Sequence, residues 1–249
     1  MPTAWAADRT GSPPVALHLA PHPDDELLGA PATLMALRDE GWRVVNLACS
    51  LGRPADRGRR RAELELACER AGFELEVPGK LPSLGAGDDH LAARAELAGL
   101  FSEALARHRP GLLLAPAAED DHHAHKTVAL AALDALEGRP QAFATERPVE
   151  LLQWSLWGDV RAPNLLVTYG EERLAEILHA LGAHTGEIAR NDYLELVAVR
   201  ARAASIQGLE RVIGFGAQGA RRPYGELLVS SVLRGAGTLE RLPPQVLDA

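Results

Sequence analysis

The chain has 249 residues, of which 47% are hydrophobic, and this suits a single α/β domain with one large buried core. It carries 26 Lys and Arg against 34 Asp and Glu, a net charge of −8, which disfavours nucleic acid and anionic membrane surfaces as partners. No apolar run approaches the roughly 18 residues that span a bilayer. The N-terminus lacks the basic and apolar pattern of a signal peptide, and Cys49 and Cys68 lie in apolar surroundings. We therefore expect a cytoplasmic protein with reduced core cysteines.

The first 140 residues alternate short apolar runs with segments of helical spacing. The predicted strands are Val15–Ala20, Val44–Cys49, Phe73–Val77 and Gly111–Ala115. The predicted helices are Leu27–Glu40, Arg59–Ala71, Ala92–His108 and Ala124–Leu136. This alternation predicts a doubly wound parallel sheet with right-handed crossovers.

The remainder of the chain is less regular. Leu151–Trp157 and Glu226–Leu233 are candidate strands, Glu171–Leu181 and Asp192–Ala204 have helical spacing, and the glycines of Gly214–Gly219 indicate a loop. No stretch has the composition of a linker, so we expect one domain over residues 1–249, with its core at about 14–140.

Two clusters of polar residues follow predicted strands. Pro21-His22-Pro23-Asp24-Asp25-Glu26 comes directly after the first strand, and Glu119-Asp120-Asp121-His122-His123-Ala124-His125 comes shortly after the strand Gly111–Ala115. Ligands of open α/β sheets bind outside the carboxyl ends of the strands, near the point where the strand order reverses. We therefore expect the two clusters to share one site.

The residue types of this shared site suit a metal ion. Catalytic zinc takes three protein ligands from His and carboxylates and keeps one position for water. His22 and Asp25 are three residues apart in a turn held by two prolines, so both can reach one ion. We expect His125, at the start of a predicted helix, to be the third ligand. Asp24 and His122 then lie beside the metal, where an acid and a base are needed.

Each cluster alone also has a structural interpretation. Asp24 and Asp25 could cap the helix that follows them and complement its dipole. The three histidines of the second cluster could be a solvated loop or an adventitious metal site. The joint placement of the clusters at two strand ends favours the shared site.

The motif His22-Pro23-Asp24-Asp25-Glu26 after an apolar strand, followed much later by His122-x-x-His125, resembles the LmbE-like, or GlcNAc-phosphatidylinositol de-N-acetylase (PIG-L), family. Arg60-x-x-Glu63, on a helix that ends in Ala71-Gly72-Phe73, extends the resemblance to at least residues 15–130. More loosely, His184-Thr185-Gly186-Glu187 is similar to a later His-x-Ser-Gln segment of that family. The resemblance implies a Rossmann-like, three-layer α/β fold with a mostly parallel sheet.

The resemblance also implies an activity and roles. The activity would be the removal of an acyl group, typically acetyl, from an N-acetylglucosamine-type small molecule. His22, Asp25 and His125 would hold Zn²⁺, Asp24 would be the general base that takes a proton from water, and His122 would stabilise the oxyanion and could protonate the leaving amine. Arg60 would contact a polar or anionic group of the substrate.

Two positions depart from the family pattern. His123-Ala124 stands where Pro-Asp usually separates the two histidines, and Gly186-Glu187 stands where Ser-Gln is usual. The first departure spares the ligand positions and affects only their local support. The second puts a contact on the substrate side in doubt.

The same sequence patterns are compatible with other functions, metals and residue roles. The same residues would serve a metal amidase that acts on a non-sugar conjugate such as a thiol adduct, or a sugar- or metal-binding protein without turnover. His and Asp suit Fe²⁺ as well as Zn²⁺. The four arginines at 57 and 59–61 could be a solvated helix end instead of a substrate anchor. His18, inside the first strand, is expected to be a packed core residue, and a homo-oligomer is left open.

Overall fold

A computed structural model of the chain describes residues 12–138, 148–219, 222–234 and 238–249. The described residues form strands β1 Val15–Ala20, β2 Arg43–Ala48, β3 Glu74–Glu76, β4 Leu112–Pro116, β5 Val149–Trp154, β6 Leu165–Tyr169, β7 Tyr224–Arg234, β8 Thr238–Arg241 and β9 Gln245–Asp248. Their helices are α1 Asp25–Leu28, α2 Pro31–Asp39, α3 Arg57–Ala71, α4 His90–His108, α5 His123–Glu137, α6 Glu171–Leu181, α7 Thr185–Ile188 and α8 Tyr193–Val212. Within these ranges, no helix has the length and apolar content that crossing a bilayer requires.

The strands form a mixed sheet in the order β3-β2-β1-β4-β5-β7-β6-β9, with β8 paired to β7. Five of the eight pairings are parallel, and the three that involve β7 are antiparallel. The chain runs from β1 outward to β2 and β3, then returns to β4 on the other side of β1. The predicted doubly wound, mostly parallel α/β fold is therefore confirmed.

Alternate residues of the buried strands face two separate cores, one on each side of the sheet. Ala16 of β1 packs in a cluster with residues of α2, α3 and α6, whereas its neighbour Leu17 packs in a second cluster with residues of α4 and α5. Successive side chains of a strand point to opposite faces, so continuous apolar strands are buried on both sides. The result is the expected three-layer arrangement of helices, sheet and helices.

The expectation of one helix over Leu27–Glu40 is wrong, because the segment divides at Gly29–Ala30 into α1 and α2. A Cβ atom on Gly29 would lie 2.6 Å from the Trp154 ring, so the chain passes this ring where only glycine fits. Pro31 then opens α2, a position where its missing N–H costs nothing.

Other segments differ from expectation by extension or omission. The last helix continues from the expected end at Ala204 to Val212, and strands β6, β8 and β9 were not predicted. The β6 sequence is apolar and entirely buried, so its composition did carry a strand signal. By contrast, β8 and β9 are four-residue strands with mostly exposed or half-buried side chains, and such strands depend on pairing with β7 and β6.

Candidate active site

The two polar clusters meet at the carboxyl ends of β1 and β4. These strands are parallel neighbours, with Leu17 paired to Leu113, and the strand order reverses between them. The chain leaves β1 into the segment that contains His22 and Asp25, and it leaves β4 into the segment that leads to His125 at the start of α5. The topology therefore builds one site from two segments about 100 residues apart, as ligand sites of such sheets generally are.

Two contacts of Asp25 in this site are close to the separation that a tetrahedral zinc ion imposes on its ligand atoms. The Oδ2 atom of Asp25 is 3.2 Å from Nδ1 of His22 and 3.4 Å from Nε2 of His125. Zinc bonds of 2.0–2.1 Å in tetrahedral geometry place two ligand atoms about 3.4 Å apart. Nε2 of His125 is also buried without a hydrogen-bond partner. The predicted ligand set therefore fits a metal ion on its geometry and on its donor atoms.

A second carboxylate, Asp120, faces the other nitrogen of the His125 ring. Its Oδ1 atom lies 3.4 Å from Nδ1 of His125, an ion-pair contact without hydrogen-bond geometry. Its Oδ2 atom accepts hydrogen bonds from the Ser155 hydroxyl and from the backbone N–H groups of Leu156 and Trp157. A carboxylate on one ring nitrogen favours the tautomer whose other nitrogen carries the lone pair for a metal. The charge of Asp120 thus favours a lone pair on Nε2 of His125, the nitrogen that faces Asp25.

The charges of this group are coupled through the buried carboxylates. Burial opposes the charged form of His125, but Asp25 and Asp120 outweigh it and raise the pKa of His125 to about 10. Burial likewise opposes ionisation of Asp25, yet His125 and His22 hold the pKa of Asp25 well below its usual range. Two carboxylates therefore stabilise a positive charge at His125, which is the charge that a bound cation would supply.

His122 lies within ligand distance as well, since nitrogens of His22, His122 and His125 lie within 4.8 Å of one another. Its Nδ1 atom accepts the backbone N–H of Ala124 at 3.2 Å, so that nitrogen carries no proton. Burial and the neighbouring histidines lower the pKa of His122 to about 4, which makes the ring neutral at pH 7. A neutral ring with an accepting Nδ1 carries its proton on Nε2. This arrangement suits Nε2 of His122 to donate a hydrogen bond at the cleft.

Asp24 is held beside this group in a backbone conformation that non-glycine residues rarely adopt. Its φ is 123°, and its N–H donates to Oε2 of Glu26 at 3.0 Å. The other oxygen of Glu26 lies 2.5 Å from Nε2 of His184, and both of these side chains are fully buried. Burial, followed by the negative charge of Asp25, raises the pKa of Asp24 well above its usual range. The backbone of Asp24 is therefore strained, its carboxyl group holds a proton more tightly than usual, and the residue is 5% exposed. These properties together are typical of a functional position.

A cleft of about 890 Å³ opens above these residues, within the size range of small-molecule sites. His22, Asp24, Asp25 and His122 line its floor. Its walls come from the segment 50–60, the segment 82–88, and Trp157, Glu187 and Tyr193. Trp157 is 41% exposed at this cleft, and therefore offers an aromatic face to a ligand.

Arg60 connects the floor of the cleft with its wall. Its guanidinium donates to the carbonyl of Pro23 at 3.1 Å, and its Nε lies 3.3 Å from Oε1 of Glu187. The side chain is 12% exposed and lines the cleft, whereas the neighbouring Arg61 is 55% exposed and pairs with Glu65 along α3. Of the predicted arginine cluster, Arg61 is a solvated helix residue and Arg60 is part of the cleft.

The model of the PIG-L family, described as GlcNAc-PI de-N-acetylase, matches residues 17–136. This segment, slightly less than half of the chain, is similar to the PIG-L family. No curated protein sequence matches the chain.

Three solved structures share the whole fold. The conserved protein TT1542 from Thermus thermophilus is 24% identical, with a TM-score of 0.66 over 86% of this chain and 93% of that chain. The hydratase GalB from Pseudomonas putida is 15% identical, with a TM-score of 0.63 over 87% and 95%. The N,N'-diacetylchitobiose deacetylase from Pyrococcus horikoshii is 17% identical, with a TM-score of 0.62 over 88% and 84%. Because the same fold occurs in a hydratase and in a deacetylase, the fold alone does not determine the reaction, which depends on the residues of the site.

The departure of this chain from the PIG-L pattern at His123 has a structural counterpart. The ring of His123 stacks on His122, with centroids 4.4 Å apart, and its Nε2 lies 3.1 Å from the carbonyl oxygen of Leu84. Leu84 belongs to the segment 82–88 that forms one wall of the cleft. His123 therefore ties this wall to the residue beside it on the floor.

The candidate ligands and acid–base residues lie together in the structure, whereas Asp120 and Glu26 had no predicted role. Asp120 had a usable signal, since it follows a buried strand two residues before His122. Glu26 was included in the first motif, but its partner His184 is 158 residues away, and nothing local in the sequence indicates that pairing.

Proposed function

We propose that this chain is a metal-dependent hydrolase that removes an N-acetyl group from an N-acetylglucosamine-type small molecule. The observation that carries the proposal is the close approach of His22 and His125 to the same oxygen of Asp25, beside Asp24 at an open cleft. The PIG-L match supports the deacetylation, and the similarity to a diacetylchitobiose deacetylase agrees with a sugar substrate. Zn²⁺ is the proposed ion, with Fe²⁺ as the alternative that the same ligands accept.

A bound Zn²⁺ would polarise the amide carbonyl and lower the pKa of a coordinated water from 15.7 towards about 7. The rest of the chemistry is assigned to the chain's own residues. Asp24, with its carboxylate at the cleft floor, accepts the proton of the attacking water. The N–H at Nε2 of His122 donates to the carbonyl oxygen as it gains negative charge, a contact of the kind worth about 3 kcal/mol.

Collapse of the tetrahedral species breaks the C–N bond and releases acetate and a primary amine. The departing nitrogen requires a proton, and protonated Asp24 is the group that has just received one. His122 is the less suitable donor of a whole proton, since giving up the proton on Nε2 would leave the ring without one. Asp24 is therefore proposed to act first as base and then as acid, with His122 as a fixed hydrogen-bond donor.

Substrate recognition is proposed to use the walls of the cleft. Arg60 presents a partly exposed guanidinium, suited to a polar or anionic substituent of the sugar, and Trp157 presents an aromatic face. The net charge of −8 and the depth of the cleft favour a small molecule over nucleic acid.

The first test is the metal content of protein loaded with zinc and dialysed. About one zinc per chain is expected for the wild type and a clear loss for His125→Ala. His179→Ala, an exposed histidine on α6, is the matched control and should keep its zinc. If the wild type and His125→Ala retained equal amounts of zinc, the proposed metal site would be refuted.

The second test is a panel of N-acetylglucosamine conjugates and of non-sugar N-acyl conjugates, scored by release of a primary amine. Turnover of the sugar conjugates supports the proposal. Turnover of only the non-sugar conjugates would keep the hydrolysis and discard the substrate class. Retained metal without amine release from any member of the panel would favour a binding protein.

A further inference from the structure

Helix α8 exposes a row of apolar side chains on the side opposite its packed face. Val199, Ile206 and Ile213 are 54%, 52% and 54% exposed, although Leu209 and Val212 of the same segment are buried. Residues seven apart lie two helical turns apart on one line, so the three form a straight stripe about 21 Å long. A surface helix normally faces solvent with polar residues, and three large apolar side chains in line on its solvent side therefore indicate a partner.

The stripe is flanked by a symmetric pair of opposite charges. Arg202 and Glu210 are both exposed and each lies four residues from Ile206, one before it and one after it. Val199 and Ile213 likewise lie seven residues before and after Ile206. Ile206 is thus the centre of a symmetric pattern along the chain. An apolar side chain lies seven residues away in each direction, whereas the charge four residues before Ile206 is positive and the charge four residues after it is negative.

We propose that this stripe, residues 199–212 of α8 with Ile213 at its C-cap, is the contact between two copies of the chain, packed antiparallel about a two-fold axis at Ile206. A two-fold axis places the same patch on both subunits, and residues equally far before and after the centre then face each other. Val199 meets the partner's Ile213, and Ile206 meets the partner's Ile206. Arg202 and Glu210 reach the partner's Glu210 and Arg202.

The charges select this orientation over a parallel one. In a parallel pair, Arg202 would lie opposite the partner's Arg202, and like charges that face each other at an interface are unfavourable. The antiparallel pair brings each charge opposite its complement and closes the assembly at two subunits. Phe215, which is 95% exposed, is a further apolar side chain two residues after Ile213.

The pattern fits a second copy better than a membrane. Helices that lie on membranes carry a strongly basic polar face, whereas the charges beside this stripe cancel and the chain is acidic. Within the described ranges, no segment of the same chain covers the three apolar side chains. The self-complementary arrangement about Ile206 is a feature that only a copy of the same helix would use.

The test is the mass of the full-length protein in solution, by light scattering and sedimentation equilibrium up to about 100 µM, well above a micromolar Kd. The wild type is expected to form a dimer, and Ile206→Glu is expected to be a monomer. Leu91→Glu is the matched control, since Leu91 is 79% exposed on α4, away from the stripe, and this variant should remain a dimer. Circular dichroism verifies that each variant is folded.

Charge reversal tests the orientation. Arg202→Glu and Glu210→Arg should each weaken the dimer at least about 10-fold, because each creates two like-charge contacts, and the double reversal should restore it to within about 3-fold. If loss of the bond from Arg202 to the carbonyl of Pro223 disturbs folding, Val199→Glu and Ile213→Glu replace it as monomer-forming variants.

Three results would overturn the proposal: a wild-type monomer at the highest concentration, a dimer that Ile206→Glu leaves intact, or a double reversal no tighter than the single ones. If the wild type is a monomer, the reaction of the Ile206→Cys variant with maleimide shows why. A cysteine at this position that resists maleimide would show that another segment of the same chain covers the stripe. None of these readouts depends on the proposed enzymatic activity.

Discussion

The Oδ1 atom of Asp120 lies 3.4 Å from Nδ1 of His125, and both side chains are completely buried. Burying a carboxylate is costly unless its oxygens have partners. Asp120 obtains them from Ser155, from the backbone after β5 and from the N–H of His122. One carboxylate thus fixes the segment that carries both His122 and His125, and it ties that segment to the neighbouring strand.

Replacing this carboxylate with its neutral amide is expected to weaken metal binding. Asp120→Asn removes the negative charge that favours a proton on Nδ1 of His125, and loss of such an outer partner typically lowers metal affinity about 10- to 100-fold. Zinc affinity measured by competition with a chelator checks this. Asp121→Asn, an exposed neighbour, is the control. An unchanged affinity in folded Asp120→Asn would show that Asp120 acts only on the backbone.

Asp24→Asn separates proton transfer from metal binding. The amide keeps the size of the side chain but accepts a proton poorly, so turnover should fall at least about 100-fold, while about one zinc per chain is retained. Asp56→Asn changes another carboxylate that lines the cleft, and its turnover should stay close to that of the wild type. Amine release and elemental analysis on the same samples provide the measurements. Normal turnover in Asp24→Asn would refute the assignment of the base.

The parts of the fold that the sequence predicted are those whose signals are local. β1 and α6 have the predicted bounds Val15–Ala20 and Glu171–Leu181, because periodicity and flanking prolines or glycine define both. The break at Gly29 was missed because its cause, the ring of Trp154, lies 125 residues later. Strands β8 and β9 have little apolar character of their own, so their pairing partners decide their conformation.

The candidate site divides in the same way. His22, Asp25 and His125 could be predicted as candidate ligands because metal ligands need particular residue types and because strand ends converge in this fold. Residues that act through others were not identifiable. The contribution of Glu26 to the site depends on its contact with His184. The tautomer of His122 depends on the N–H of Ala124, which is oriented towards the His122 ring at the start of α5.

His123 is expected to govern substrate affinity rather than the chemical step. His123→Phe keeps a ring that can stack on His122 but loses the contact with the carbonyl of Leu84. Since a hydrogen bond contributes about 1 kcal/mol, KM should rise about 5-fold while kcat changes little. Backbone amides of residues 82–88 should exchange hydrogen faster. His123→Gln, which can still donate to Leu84, should recover both properties, and a loss of kcat alone would contradict this role.

Glu226 predicts a dependence of stability on pH that is independent of the metal site. Its buried carboxyl group lies at the N-terminus of α2, where it accepts the N–H groups of Ala32 and Thr33 and the hydroxyl of Thr33. Ala30, at the N-cap of α2, has no side chain that could do so. Burial raises the pKa of Glu226 from 4.5 to about 7, although the bonds from Thr33 and Ala32 oppose the increase.

A folded-state pKa above the unfolded value means that the folded protein holds this proton more tightly. The stabilisation is complete below pH 4.5 and is lost as the pH rises to about 7, with a total near 3 kcal/mol for 2.5 pKa units. Glu226→Gln cannot ionise. Urea unfolding from pH 4.5 to 8 should therefore show the wild type losing stability relative to this variant. Glu172→Gln, on the exposed first turn of α6, should show no such trend. A constant difference between the wild type and Glu226→Gln across this range would mean that Glu226 is already ionised in the folded protein, held by the three donors at the start of α2.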